Sequence, residues 1–396
     1  MSVADFLFAG VFDLPWWGLV LVALALTHVT IAAVTIYLHR CQAHRALDLH
    51  PLPAHFFRFW LWATTGMITK EWAAIHRKHH AKCETVEDPH SPQIKGIHRV
   101  LWGGVFLYVK EAYNAETIER YGQGTPDDWL ERNLYTPYSL MGVAVMGALD
   151  VALFGIVPGL LVYLVQMVWI PFWAAGVING IGHFWGYRSW DVPAPDASRN
   201  IVPWGILIGG EELHNNHHAY PASARLSSKW YELDIGWLYI RLLESLGLAT
   251  VKKVAPTPRF AEQKAVCDQQ TLQAVIANRY DVLARYARSL KVTYSQELER
   301  LGHWSKEAEA LKPLKRYLAR VHQVSEFERA RIAEALKNSK ALATALAMRE
   351  ELAAVWARSS ASREQLLKHL QDWCQRAEAS GVVPLVEFSR RLRCYA

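Results

Sequence analysis

Between Asp13 and His39 the chain runs for 25 residues, LPWWGLVLVALALTHVTIAAVTIYL, without a Lys, Arg, Asp or Glu. A helix of that length rises roughly 37 Å at ~1.5 Å per residue, enough to cross a hydrocarbon core ~30 Å thick. The run is too long for the apolar part of a signal peptide, and the first basic residue of the chain, Arg40, comes only after it. It is therefore read as a transmembrane helix, with Trp16 and Trp17 at a membrane boundary.

That reading directs attention to the other apolar stretches. Residues 138 to 187 carry one charge, Asp150, and are punctuated by Gly155 and by Pro158-Gly159. They predict two spans, 138 to 157 and 160 to 182, joined by a tight turn with Asp150 near its outer end. HFFRFWLWATTGMIT, 55 to 69, contains Arg58 and is too short to cross, which predicts an interfacial or re-entrant segment. Residues 6 to 12 are also too short to cross. The side of the membrane holding Arg40, Arg45, Lys70, Arg77, Lys78 and Lys82 is cytoplasmic by the positive-inside rule, and the acidic N-terminus lies outside.

From about residue 260 the text changes. After a linker, VAPTPRF (254 to 260), residues 261 to 396 hold 23 Lys and Arg against 16 Asp and Glu, so the basic excess of the chain sits here. Val275, Val282, Tyr286, Leu290, Tyr294, Leu298 and Leu301 recur at helical spacing, and amphipathic runs follow at 326 to 357 and 361 to 378. The fold class is all-α: a membrane domain, 1 to 253, and a soluble basic helical domain, 261 to 396. The five cysteines form no C-x-x-C pair, which excludes a thiolate zinc site and a disulfide framework.

Nine of the 17 histidines fall on the cytoplasmic side of this topology. His39 and His44 end the first span, His76, His79 and His80 follow the interfacial segment, His183 ends the third span, and His214, His217 and His218 come next. In both H-x-x-H-H segments the three rings share a helical face. His39 and His44 are five apart, about 140° around a helix of ~3.6 residues per turn, so the helix must bend, bulge or end for both to point one way. Neutral imidazole binds iron, copper and zinc, and nine ligands exceed what one ion takes, so two ions are the economical count. Asn179, one turn before His183, can hold a metal-bound water. The Glu-x-x-His pairs of a ferritin-like centre fit poorly, because the second candidate, Glu87 to His90, contains Pro89. His28 is expected to pack against a neighbouring helix. His90 is expected behind the ligands or facing substrate, Glu211 and Glu212 behind the ligands or at the surface.

The segments HRCQAH, HRKHHAKCETVEDPHSP, NGIGHFWGYR and GGEELHNNHHAYP resemble, in order and spacing, the histidine boxes of membrane fatty acid desaturases of the stearoyl-CoA desaturase type, over residues 14 to 250. The resemblance implies a membrane helical fold with a cytoplasmic histidine cap, and two iron ions held by the nine histidines with Asn179 acting through water. It further implies dioxygen as co-substrate and a double bond, commonly delta-9, placed in a saturated acyl chain held as acyl-CoA or phospholipid. It is closest to bacterial members, which implies an inner membrane location with active site and C-terminal domain in the cytoplasm. Trp72, Trp185 and Trp204 are expected along the acyl tunnel, Arg188 and Lys229 near a head group, and Asn215 and Asn216 as spacers or substrate contacts. No flavin, haem or iron-sulfur motif is present, so electrons come from a ferredoxin, flavodoxin or cytochrome b5-like donor. Residues 261 to 396 resemble the helical tails of insertion-sequence transposases but carry no catalytic Asp/Glu set, and no nucleic-acid partner is expected. A di-iron acyl or alkyl hydroxylase and a membrane metal sensor are the alternative functions.

Overall fold

The computed structural model describes residue 7, residues 9–302, 305–311, 314, 333–357 and 361–396. The chain forms two units, residues 1–255 and 256–396. In the first, helix α1 (Trp16–Ala43) is one continuous apolar rod of 28 residues. Its last part, Val34–Ala43, is wound as a π-helix. Helices α2 (Pro51–Thr65) and α3 (Thr69–Lys82) form a hairpin turned at Gly66, whose φ of +63° is one that glycine adopts without strain. Helix α4 (Ile97–Ala112) follows, then the short α5 (Ala115–Tyr121).

Helices α6 (Ser139–Phe154) and α7 (Ile156–Ile181) make the apolar hairpin. The break falls at Gly155, φ +89°, and not at Pro158-Gly159. Proline is tolerated in the first turn of a helix, where its missing N–H has no partner to lose, so Pro158 starts α7 where it was expected to help end α6. Gly159 instead lets the two helices touch, since a Cβ there would lie 2.4 Å from the Asp150 carbonyl oxygen. Asp150 is buried and accepts a 2.7 Å hydrogen bond from Gln166 across the hairpin. Between helices in lipid, such close packing and polar contacts are the attractive terms, because lipid tails are as apolar as the side chains. The same device joins α4 to α7: a Cβ on Gly104 would lie 2.1 Å from the Ala175 oxygen.

Arg58 in α2 is buried and bonds the carboxylates of Asp128 (2.6 and 3.0 Å) and Glu131 (2.8 Å), which explains a charge within an apolar segment. Arg40, almost fully enclosed, forms a bidentate pair with Asp234 at 2.9 and 3.0 Å and donates to the Gly209 and Ala224 carbonyls. Asp234 also caps helix α9 (Ile235–Ser245), which follows helix α8 (His214–Ala219) in the chain. This clamp fixes the third histidine segment against the end of α1. His28 meets the Tyr239 hydroxyl at 2.6 Å, as a packed intramembrane histidine should.

The second unit is a helical bundle. Val275, Val282, Tyr286, Leu290 and Tyr294 are buried in one core with Trp373 and Phe388, and Leu298 and Leu301 pack against it. Helices run Lys340–Ala357 and Arg363–Ala379. The part of the amphipathic run at 326 to 332, and His303 and His322, lie outside the described residues.

Candidate metal centre

Two wide helical turns bring the histidines together. At the end of α1 the His44 N–H bonds the His39 carbonyl at 3.1 Å, a link across five residues. A π-turn holds about one residue more than the ~3.6 of an α-helix, so residues five apart come close to one face. The two rings lie 4.9 Å apart. In α7 the π-segment starts at Pro171, which has no N–H for the regular ladder, and ends at Gly182, bonded to Val177 and Ile178. It delivers Asn179 and then His183.

The imidazoles form two groups whose ligand atoms lie within 4.8 Å of one another: His39, His44, His76 and His217, and His79, His183, His214 and His218. In the first, Nε2 atoms face each other at 3.0 Å (His39 and His217) and 2.8 Å (His44 and His76). In the second they do so at 3.1 Å (His79 and His183) and 2.8 Å (His183 and His214). His80 belongs with His217 and His218, so it stands between the groups. Its Nε2 is 2.7 Å from that of His217.

Four carboxylates, Glu84 and Asp88 buried and Glu211 and Asp196 partly so, stand behind four of the rings. Nδ1–H of His39 donates to Glu211 (2.7 Å), that of His79 to Asp88 (3.0 Å), that of His183 to Glu84 (3.0 Å) and that of His218 to Asp196 (2.8 Å). This fixes the tautomer and leaves Nε2 as a lone-pair acceptor in the neutral ring. The Nε2 atoms of His79 and His183, both rings with Nδ1 committed to a carboxylate, face each other across 3.1 Å, a spacing that suits a shared cation. Burial, with neighbouring imidazoles adding to it, pushes His76, His80, His214, His217 and His218 well below the usual histidine range, so they are neutral as metal ligands must be. For His79 burial acts the same way, but the Asp88 carboxylate outweighs it and the net shift is upward. The donor set, the tautomers and the facing lone pairs all fit metal ions. Of the four carboxylates only Glu211 is expected from the sequence. Glu84 and Asp88 sit beside the second histidine segment in ETVEDPH, a signal that was available, whereas Asp196 lies in a loop with none.

A cavity of about 510 Å³ ends at this centre. His39, His76, His214, Asn179 and Glu211 line its inner end, and Trp72, stacked on His76 at 4.9 Å, is one wall. His90 lines it too and stacks on His79 at 4.4 Å. Burial and the neighbouring His79 push His90 down to about 3. The other expected substrate contacts lie elsewhere. Trp185 and Trp204 are exposed and do not line the cavity. Arg188 donates to the Ser198 and Asp196 carbonyls and does not line the cavity. Asn215 is fully buried, accepting from the Ser189 and Trp190 N–H groups, and Asn216 accepts from the Asn200 amide while donating to Glu232; both knit the histidine helix to the 187–200 loop. Glu212 accepts from the Ile208 and Gly210 backbone, a turn-holding role.

Apolar helices of spanning length and two imidazole clusters at the end of an apolar cavity are the features of a membrane-associated protein with a candidate metal centre. A family model described as fatty acid desaturase matches residues 14–249, and the chain belongs to that family of oxidoreductases. It is 30% identical over 249 residues to delta-9 acyl-lipid desaturase 1 of Arabidopsis thaliana, covering 60% of this chain and 76% of that one. It is 34% identical over 197 residues to sn-2 palmitoyl-lipid 9-desaturase of Nostoc sp. (strain 36), covering 47% and 64%. It is 34% identical over 225 residues to acyl-CoA 5-desaturase AL21 of Anemone leveillei, covering 56% and 67%. A second family model, described as transposase, matches residues 261–396.

Proposed function

We propose that the protein is a di-iron, dioxygen-dependent desaturase that places a cis double bond, at delta-9, in a saturated acyl chain. The observation that supports this most is the pair of imidazole clusters, with Nδ1–H groups committed to carboxylates and Nε2 atoms facing inward, at the closed end of an apolar cavity. His39, His44, His76 and His217 would hold one iron and His79, His183, His214 and His218 the other, with His80 between them and Asn179 acting through water. The delta-9 position is supported by the names of two of the relatives above.

When bound, iron supplies dioxygen reduction and hydrogen abstraction from an unactivated methylene. The carboxylates of Glu211, Asp88, Glu84 and Asp196 hold the rings in one tautomer and orientation. The apolar walls exclude water and present two adjacent carbons to the centre, which decides position by geometry. In balance, CH2–CH2, O2, two electrons and two protons become CH=CH and two waters. The electrons come from an external ferredoxin, flavodoxin or cytochrome b5-like carrier. The site and the C-terminal unit face the cytoplasm of a bacterial inner membrane.

The test is expression in a host without desaturases, with mass spectrometry of its fatty acids and iron analysis of the purified protein. Two irons per chain and a new C9 alkene are expected, both lost in His217→Ala. An added hydroxyl would assign the hydroxylase function, and iron-loaded protein forming no alkene under air and reductant would overturn the reading.

A further inference from the structure

The cavity is closed at the histidines and open at its other end. His39 and His214 are 2% exposed, whereas Val109, Tyr113 and Leu140, which line the same void, are 44%, 86% and 76% exposed. The opening lies between the last turns of α4, the Gly66 turn and the first turn of α6. Its height follows from helix geometry. The Phe12 N–H bonds the Leu153 carbonyl at 2.8 Å, so the α6–α7 turn is level with the entry to α1 at the outer face. Leu140 lies 14 residues before Phe154, about 21 Å above that turn at ~1.5 Å per residue, and so within a ~30 Å hydrocarbon core. Asn179, 23 residues after Ile156, stands at most about 35 Å above it, since the π-wound part from Pro171 rises less per residue, and so toward the cytoplasmic surface.

The rim suits lipid. Trp102, Phe106, Val109 and Tyr113 are exposed along one face of α4, and Leu140, Met141, Val145 and Leu149 along one face of α6. Among the described residues no Lys or Arg lines the cavity, although the phosphates of a coenzyme A thioester call for such groups. One donor along the cavity is the Tyr108 hydroxyl, buried without a hydrogen-bond partner, and an ester carbonyl is an acceptor that fits it.

Resting on the desaturase reading above, we infer that the acyl chain enters sideways from the cytoplasmic leaflet through a portal formed by Val109, Tyr113 and Leu140, while still esterified to a membrane glycerolipid. The head group stays in the interface and only the chain passes inward. Substrate is therefore taken from the lipid pool and product is returned to it.

Full-length purified protein is reconstituted with a reduced ferredoxin in vesicles of labelled saturated phosphatidylcholine. In parallel it is placed in unlabelled vesicles and given labelled saturated acyl-CoA. The alkene is expected in the phospholipid label at a rate at least tenfold above the acyl-CoA label. Val109→Trp and Leu140→Trp should each lower that rate tenfold or more with iron content unchanged. A photoreactive p-benzoylphenylalanine in place of Tyr113 should capture labelled phospholipid, a readout independent of turnover. Faster conversion of acyl-CoA, unchanged rates in both tryptophan variants, or no lipid capture would overturn the portal. If lipid is captured but neither pool gains a double bond, the portal stands and the desaturase reading fails.

Discussion

Asp88→Asn tests whether the buried carboxylates tune the centre. Asp88 is 1% exposed, and its two oxygens accept from His79 Nδ1–H (3.0 and 3.1 Å), from the Glu84 N–H (2.9 Å) and from the His90 N–H (3.0 Å). Asparagine has nearly the same shape but turns an NH2 donor toward at least one of these three donors. That removes the charge-assisted bond and strands a buried donor, at about 1–3 kcal/mol for the unsatisfied group. Carboxylates behind ligating histidines are typically worth ~10–100-fold in metal affinity, or about 1.4–2.7 kcal/mol. With the charge lost and a backbone donor stranded beside the ring, the upper end, about 100-fold, is expected.

Glu211→Gln is the matched contrast. A single oxygen, Oε1, accepts both His39 Nδ1–H (2.7 Å) and the Thr35 hydroxyl (2.6 Å), so the amide oxygen of glutamine can keep both bonds and the NH2 can take the other position. About tenfold or less is expected there, and His217→Ala should lose iron outright. The assay is iron per chain by elemental analysis after dialysis against a graded series of chelator, with folding checked by thermal melting. Asp88→Asn within twofold of wild type, or weaker in effect than Glu211→Gln, would refute the reasoning.

Further outcomes concern the scaffold. Arg58→Ala leaves Glu131 buried and unpaired, and should lower stability by about 3–5 kcal/mol in a detergent melt; a loss under 1 kcal/mol would show that the pair is bystander structure. Gly104→Val drives a side chain into the Ala175 carbonyl and should cost at least about 1–3 kcal/mol while lowering turnover, whereas Gly103→Ala, which meets only the edge of Phe106, should be near neutral. The Arg58 guanidinium holds the Asp128 carboxyl below the usual carboxylate range, so its contribution is full above the ordinary value near ~3.9 and fades as pH falls below it. Asp128 is about half exposed, so Asp128→Asn should flatten the acid limb of unfolding free energy against pH by well under ~1 kcal/mol; a steeper limb in the variant would reverse the sign.

What could be read in the sequence was whatever obeys a period. The uncharged run before His39 and the H-x-x-H-H spacings are consequences of helix geometry, and the structure places eight of the nine histidines in two adjoining groups with His80 between them. The conflict at His39 and His44 was legible too, because 140° on an α-helix cannot aim two rings at one point; the π-turn is the bulge that resolves it. The hairpin turn was misplaced by three residues since Pro-Gly and a lone Gly are both turn signals, and only the φ of Gly155 decides between them.

The contacts that were not legible share a cause. A hydrogen bond from Nδ1 sets a distance and no sequence interval: the four carboxylates lie 172, 9, 99 and 22 positions from their histidines. Nothing periodic links Asp196 to His218. The tryptophans failed for the converse reason. Trp72 is fixed by helical register four residues before His76, while Trp185 sits in a loop and Trp204 in a strand of two residues, too short for a period to set its direction. A side chain's role could therefore be read from this sequence where a helix set its direction, and had to be seen where a loop did.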